Sequence, residues 1–115
     1  MLIEYESESV EKIFNDFDLM RKIIGYERAR AIKKRIDQLK ASVSFDIYLS
    51  TGLGKPHPLY GDLKGYYSIA ITGNVRLIVK PNAISLEPED LKACDTVILR
   101  GVVDYHGGKN EWLIP

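Results

Sequence analysis

The run 67-YSIAITGNVRLIVK-80 constrains the architecture more tightly than any other part of the chain. Tyr67, Ile69 and Ile71 alternate with smaller or polar residues, which is the period of a strand with one buried face. Val75 to Lys80 is a second short apolar run, and Gly73-Asn74 between them is a strong hairpin signal. The reading is therefore two antiparallel strands, 67–72 and 75–80. A two-residue turn would set Arg76 opposite Ile71 on one sheet face, whereas a longer loop would change that register.

Working back from the hairpin, residues 50–65 hold four glycines and two prolines and read as a shaped loop leading into the sheet. Before it, Ala29, Ile32, Ile36, Leu39 and Val43 form the apolar stripe of a helix, with Arg30 and Lys34 outward and Arg28, Lys33 and Arg35 on its flanks. An earlier helix carries Val10, Ile13, Phe14, Phe17, Met20 and Ile24 at helical spacing. Ser9 is its expected N-cap, Glu11 sits in its first turn, and Gly25 ends it. Leu2–Tyr5 precedes it as a short extended segment. These stripes are core residues, and the two helices form a hairpin.

Beyond the hairpin, Pro81 closes the second strand and a short helical turn begins near Pro88. Residues 96–105 form a mostly apolar run suited to a buried strand, with Gly101 marking a bulge. Gly107-Gly108 turns the chain, and 111–114 adds a last strand with Trp112 packed against the body. The fold class that follows is α+β: an N-terminal strand and a two-helix hairpin packed on a twisted, mainly antiparallel sheet. At 115 residues and 45% hydrophobic content, the chain reads as one domain, 1–115, able to bury its own core.

Composition narrows the function. No apolar run approaches the roughly 20 residues that would span a bilayer. The single cysteine, Cys94, cannot form an internal disulfide and reads as a packing residue, and the first thirty residues lack the apolar core of a signal peptide, so a cytoplasmic location is expected. Net charge is zero, which argues against indiscriminate nucleic-acid binding. The distribution is uneven: residues 1–20 carry one base and six acids, 21–80 carry twelve bases and four acids, and 81–115 carry three bases and six acids. The basic middle is compatible with RNA and equally with a solvated helix face.

Both histidines occupy unusual places. His57 lies between Pro56 and Pro58 in the glycine-rich loop, and His106 lies where the apolar strand gives way to Gly107-Gly108, directly after Asp104-Tyr105. Two histidines and one distant cysteine show none of the close ligand spacings of zinc or iron sites, so neither metal nor cofactor is expected. Metal-free acid–base chemistry remains. Histidine exchanges protons near neutral pH, and a basic side chain stabilises charge developing on a phosphate, so His57, His106, Lys64 and Arg76 together suit RNA cleavage in a shared cleft. Tyr60, Tyr66 and Tyr105 stand at loop and strand ends, where rings stack on unpaired bases. Tyr67 reads instead as core.

The segments His57-Pro58-Leu59-Tyr60-Gly61-Asp62-Leu63-Lys64-Gly65, Tyr66-Tyr67-Ser68-Ile69, Asn74-Val75-Arg76-Leu77 and Val103-Asp104-Tyr105-His106, in that order, resemble the RelE/ParE toxin superfamily, most closely its HigB-like branch. The similarity covers roughly residues 28–106. It implies the fold described above and the toxin of a type II toxin–antitoxin system, a ribosome-dependent mRNA endoribonuclease. It also implies catalytic positions at His57, Asp104, Tyr105, His106 and Arg76, and RNA contacts at Lys64, Tyr60 and Tyr66. The expected partners are a helix-turn-helix antitoxin protein and mRNA on the ribosome, with the toxin alone a monomer. Tyr60 stands where relatives often have lysine, and 81–95 is longer than that branch leads one to expect. Two other readings share the fold: a ParE-like gyrase poison without catalysis, and a non-toxic relative that binds an antitoxin.

Overall fold

The computed structural model describes all residues from Met1 to Pro115. Its elements run β1 (Leu2–Tyr5), α1 (Glu8–Phe14), α2 (Phe17–Ile24), α3 (Tyr26–Ala41), α4 (Phe45–Thr51), β2 (His57–Pro58), a 3-10 turn at Gly61–Leu63, β3 (Tyr67–Ala70), β4 (Val75–Pro81), α5 (Pro88–Lys92), β5 (Thr96–His106) and β6 (Lys109–Ile114). The sheet has the order β1-β5-β4-β3-β2, with β6 also on β5. Only β1 joins in parallel; the remaining pairs are antiparallel. The expected α+β architecture is therefore present.

The helical layer differs in detail from the periodicity. Ser7, not Ser9, caps α1, its hydroxyl accepting the Val10 N–H at 3.2 Å. The single helix expected up to Ile24 is broken after Phe14, because the Asp16 carboxylate accepts the Leu19 N–H at 3.0 Å and starts α2 afresh. Apolar spacing continues across the break, so the pattern alone hid it. Gly25, at φ +91°, separates α2 from α3. Val43, expected on the α3 stripe, lies past the helix end and is 80% exposed.

α4 falls partly inside the stretch read as loop. Ser44 caps it by accepting the Ile47 N–H at 3.2 Å, and it buries Phe45 and Tyr48 completely. Two apolar residues at i and i+3 are too few to announce a helix. The Phe45 ring meets Tyr67 of β3 edge-on at 4.9 Å, which fastens α4 to the sheet. Eighteen buried residues form one core between the helices and one sheet face, with Ile32 and Leu39 of α3 among those facing Leu77, Val79 and Leu99. Fully burying each such side chain is favourable by about 1.5–3 kcal/mol.

Beyond the facing residues Ile71 and Val75, the turn between β3 and β4 has three residues, Thr72–Asn74. Ala70 pairs with Arg76, the Ile71 N–H reaches the Val75 carbonyl at 2.9 Å, and Val75 donates to Thr72 at 2.8 Å. Arg76 therefore stands opposite Ala70, and the longer-loop alternative is the one adopted. Gly73, at φ +49°, supplies the left-handed position. The expected bulge also forms: Ile78 pairs with Gly101 but Val79 with Leu99, leaving Arg100 as the extra residue.

Tyr48 offers a test of this packing. Its hydroxyl donates to the Leu53 carbonyl at 2.6 Å, and burial pushes its pKa up to about 12, with Arg35 opposing. The unfolded chain would release that proton near the ordinary value of 10, so stability is fully present below about pH 10 and falls as pH rises towards 12. Denaturant midpoints measured between pH 9 and 12 are expected to fall, and to fall less steeply in Tyr48→Phe. An equal fall in both proteins would show that this hydroxyl does not titrate with unfolding.

Candidate functional site

The approach to His57 is fixed by backbone contacts. Gly54, at φ +76°, lies so close to the sheet that a Cβ would come within 2.5 Å of Ile69 Cγ2, and its carbonyl accepts the Ala70 N–H at 2.7 Å. His57 then pairs with Ser68 and Pro58 with Tyr67, and Leu59 donates to the Tyr66 carbonyl at 2.9 Å. The prolines on either side of His57 offer no N–H to a further strand, so this short edge stays closed to further pairing.

Register determines which side chains meet, because residues opposite one another in an antiparallel pair share a face. His57 lies opposite Ser68, Ser68 opposite Ile78, Ala70 opposite Arg76, and Arg76 opposite Val103. Val103 shares its face with Tyr105, and these two are paired with Trp112 and Asn110. His57, Ser68, Arg76, Tyr105, Asn110 and Trp112 therefore belong to the sheet face away from the helices. Asp104 lies on the opposite face, opposite the core residue Val75.

Asp104 and His106 are accordingly held towards the helices. One Asp104 carboxylate oxygen lies 3.8 Å from the Arg28 guanidinium of α3, and the other lies 3.5 Å from His106 Nδ1. His106 Nε2 lies 3.6 Å from the Glu111 carboxylate. These four side chains form a polar rim at the end of β5. The structure thus brings His57, Arg76 and Tyr105 to one face and does not bring His106 to it. The shared cleft for two histidines is not formed, because an even separation along β5 keeps Asp104 and His106 together and leaves Tyr105 alone on the open side.

On the open face, Arg76 Nη1 donates to the carbonyls of Gly73 at 2.7 Å and Val75 at 3.0 Å. That clamps the guanidinium over the hairpin end and leaves its other N–H groups available. Burial raises the Tyr105 pKa while Arg76 lowers it, so the phenol stays a protonated donor beside a cation. The Tyr66 hydroxyl donates to Glu6 at 2.8 Å, and Lys80 Nζ lies 5.4 Å from the Tyr66 ring. Burial comes first in raising the Tyr66 pKa, followed by the Glu6 contact. Tyr60 and Lys64 are exposed on the loop that carries the 3-10 turn.

Two residues were missed from sequence. Ser68 is buried, and its Oγ has no hydrogen-bond partner, directly across from His57. Arg100 lies over the Trp112 ring at 4.3 Å. A charge inside an apolar strand run, beside a glycine, was the available signal for Arg100; Ser68 stood in the quoted Tyr66–Ile69 segment, with nothing there to mark its hydroxyl as buried and unpartnered.

Comparison with known proteins gives the family of the chain. Residues 11–92 match the model of a family described as YoeB-like toxin of bacterial type II toxin–antitoxin system. The chain belongs to that family. YoeB is a branch of the RelE/ParE superfamily distinct from the HigB-like branch that the motifs suggested. Toxin YoeB of Streptomyces coelicolor is 46% identical over 55 residues, 48% of this chain and 63% of that protein. The chain thus spans about 63% of the length of this curated relative. A YoeB/ParE toxin from Agrobacterium tumefaciens superposes with TM-score 0.55 at 20% identity, covering 87% of this chain and 93% of that one. A YoeB–YefM complex from Staphylococcus aureus gives TM-score 0.54 at 19% identity, covering 92% and 98%. At these identities the two structures establish a common fold. No helix is long and apolar enough to cross a membrane.

Ser68 tests whether the open face is built for polar work. A buried hydroxyl without a partner costs stability, so Ser68→Ala is expected to raise the unfolding free energy by about 1 kcal/mol. A loss of stability in a urea titration would show that the hydroxyl is satisfied within the fold.

Proposed function

We propose that this chain is the toxin of a type II toxin–antitoxin pair and cuts mRNA on the ribosome by metal-free acid–base chemistry. Family membership supports the first part. The observation that carries the second is the register that sets His57, Arg76 and Tyr105 on one open face, with the unpartnered Ser68 hydroxyl beneath His57.

In this reading His57 takes the proton from a ribose 2′-hydroxyl, and the 2′-oxygen attacks the adjacent phosphorus. The bond from phosphorus to the 5′-oxygen breaks as that oxygen receives a proton from Tyr105. The products are a 2′,3′-cyclic phosphate and a 5′-hydroxyl end. Arg76 stabilises the added charge on the phosphorane. Asp104 and His106 act at one remove, holding the end of β5 through Arg28 and Glu111. Lys64, Tyr60 and Tyr66 contact the RNA around the reacting phosphate. The partner is an antitoxin, a proposal supported by the S. aureus structure being a toxin–antitoxin complex; a helix-turn-helix antitoxin, action in the cytoplasm and a monomeric free toxin complete it.

Primer extension on mRNA in a reconstituted translation system, with and without ribosomes, tests this reading. Wild-type protein is expected to cut only when ribosomes are present. His57→Ala should reduce the rate by about 10²–10⁴-fold, and Arg76→Ala by about 10²–10³-fold. His106→Ala should cost about tenfold or less, since it stands on the other face. A larger loss from His106→Ala than from His57→Ala would overturn the assignment of roles. Intact mRNA with the wild-type protein would defeat the nuclease reading and favour gyrase poisoning or antitoxin binding without catalysis.

A further inference from the structure

A groove of ≈ 580 Å³ opens on the same face, between the 3-10 turn and β6, lined by Tyr60, Asp62, Tyr66, Arg100, Asn110 and Trp112 among others. We propose that it is a pocket for one unpaired nucleobase of the RNA, next to the reacting phosphate, with a preference for guanine. The inference rests on RNA being the ligand, as proposed above, and adds the site and its selectivity.

Position comes first. Trp112 is paired with Val103 and Asn110 with Tyr105, while Val103 is paired with Arg76. The groove therefore begins one strand away from the residues assigned to the phosphate, and adjacent strands lie only about 4.8 Å apart. A base attached to the nucleotide held by Arg76 and Tyr105 reaches it without a linker.

Chemistry comes second. Rings of Tyr60, Tyr66 and Trp112 give flat apolar surfaces, and the Arg100 guanidinium lies 4.3 Å from the Trp112 ring centroid, a planar cation of the kind on which bases stack. Flat faces alone accept any base. The lining adds an acceptor, the Asp62 carboxylate, and a donor, the Asn110 amide. Guanine presents two adjacent N–H donors that suit a carboxylate and two acceptors, O6 and N7, that suit an amide. Uracil lacks the exocyclic amine.

Trp112 is the only tryptophan in the chain, so its fluorescence reports the groove directly. The probes are short single-stranded oligonucleotides of each base, 2′-O-methylated so that they cannot be cut. Saturable quenching is expected, tightest for the guanine oligomer. Binding should weaken about tenfold in Arg100→Gln, and Asp62→Asn should erase the guanine preference, with circular dichroism confirming that both variants fold. If no oligonucleotide changes the fluorescence while the wild-type protein cuts mRNA in the translation assay, the pocket is refuted and the nuclease reading stands. Quenching without cleavage supports the pocket and removes the nuclease. Quenching by antitoxin protein but by no oligonucleotide would make the groove a protein-docking surface and overturn the inference.

Discussion

An eleven-residue strand flanked on one edge by two successive partners needs a place where the first leaves and the second arrives, and in β5 that place is Gly101. β1 occupies the edge from Thr96 to Leu99, and β6 occupies it from Val102 to His106. A Cβ on Gly101 would run into the carbonyl oxygen of Ile114, so only a residue without a side chain lets the end of β6 close on β5. The bulge beside it displaces Arg100 from the ladder and shifts the alternation of everything that follows. Which of Asp104, Tyr105 and His106 faces the open side is therefore decided at residues 100 and 101. Both the rim around Asp104 and the groove around Trp112 depend on that irregularity.

The parts of the fold written in short-range signals were legible. Tyr67 to Lys80 gave the hairpin, Pro88 gave α5, and Gly101 gave the bulge. Competition between local signals was harder to read. Ser7 and Ser9 are both acceptable caps, and only the bonded geometry selects Ser7. The Asp16 cap overrode an apolar spacing that would have continued the helix, and α4 was invisible because its two buried residues, Phe45 and Tyr48, make sense only against Tyr67. The residues of the proposed site could be picked out from the sequence, but not how they face one another. His57, Arg76 and Tyr105 stood out, yet sequence assigned His106 to the same cleft. Facing depends on loop length at Thr72 to Asn74 and on the bulge at Arg100, and each of these reverses the alternation.

The neutral net charge conceals a division between the two sides of the sheet. Much of the basic middle of the chain is spent on α3, where Arg30, Lys33 and Lys34 are exposed, and Lys33 lies 3.7 Å from Asp37. That is the solvated helix face, and α3, with six bases and two acids, accounts for half of the excess charge of residues 21–80 without any ligand. The bases that bear on the open face are few: Arg76, Lys80 and Arg100, with Lys64 on the loop beside them. Charges further than about 8 Å apart are largely screened at physiological salt, so these four set the local field more than the sum over the chain does. The acids near them are partly committed, Glu6 to the Tyr66 hydroxyl and Glu4 to Asn82 at 3.4 Å.

His57, Ser68 and Arg76 lie within the family-matched residues 11–92, and the β5–β6 hairpin lies beyond them. The first group sits on β2, β3 and β4, whose mutual register is fixed by a three-residue loop and by the close approach of Gly54 to Ile69. Little freedom exists there, since a one-residue slip would send His57 and Arg76 to the helix side. β6 is different. It is held by one neighbour, and its open-face residues Asn110 and Trp112 can change without disturbing the core, provided Ile114 still closes against Gly101. The fold thus separates a centre of fixed register, β2 to β4, from an edge strand whose open-face side chains are held by one neighbour alone.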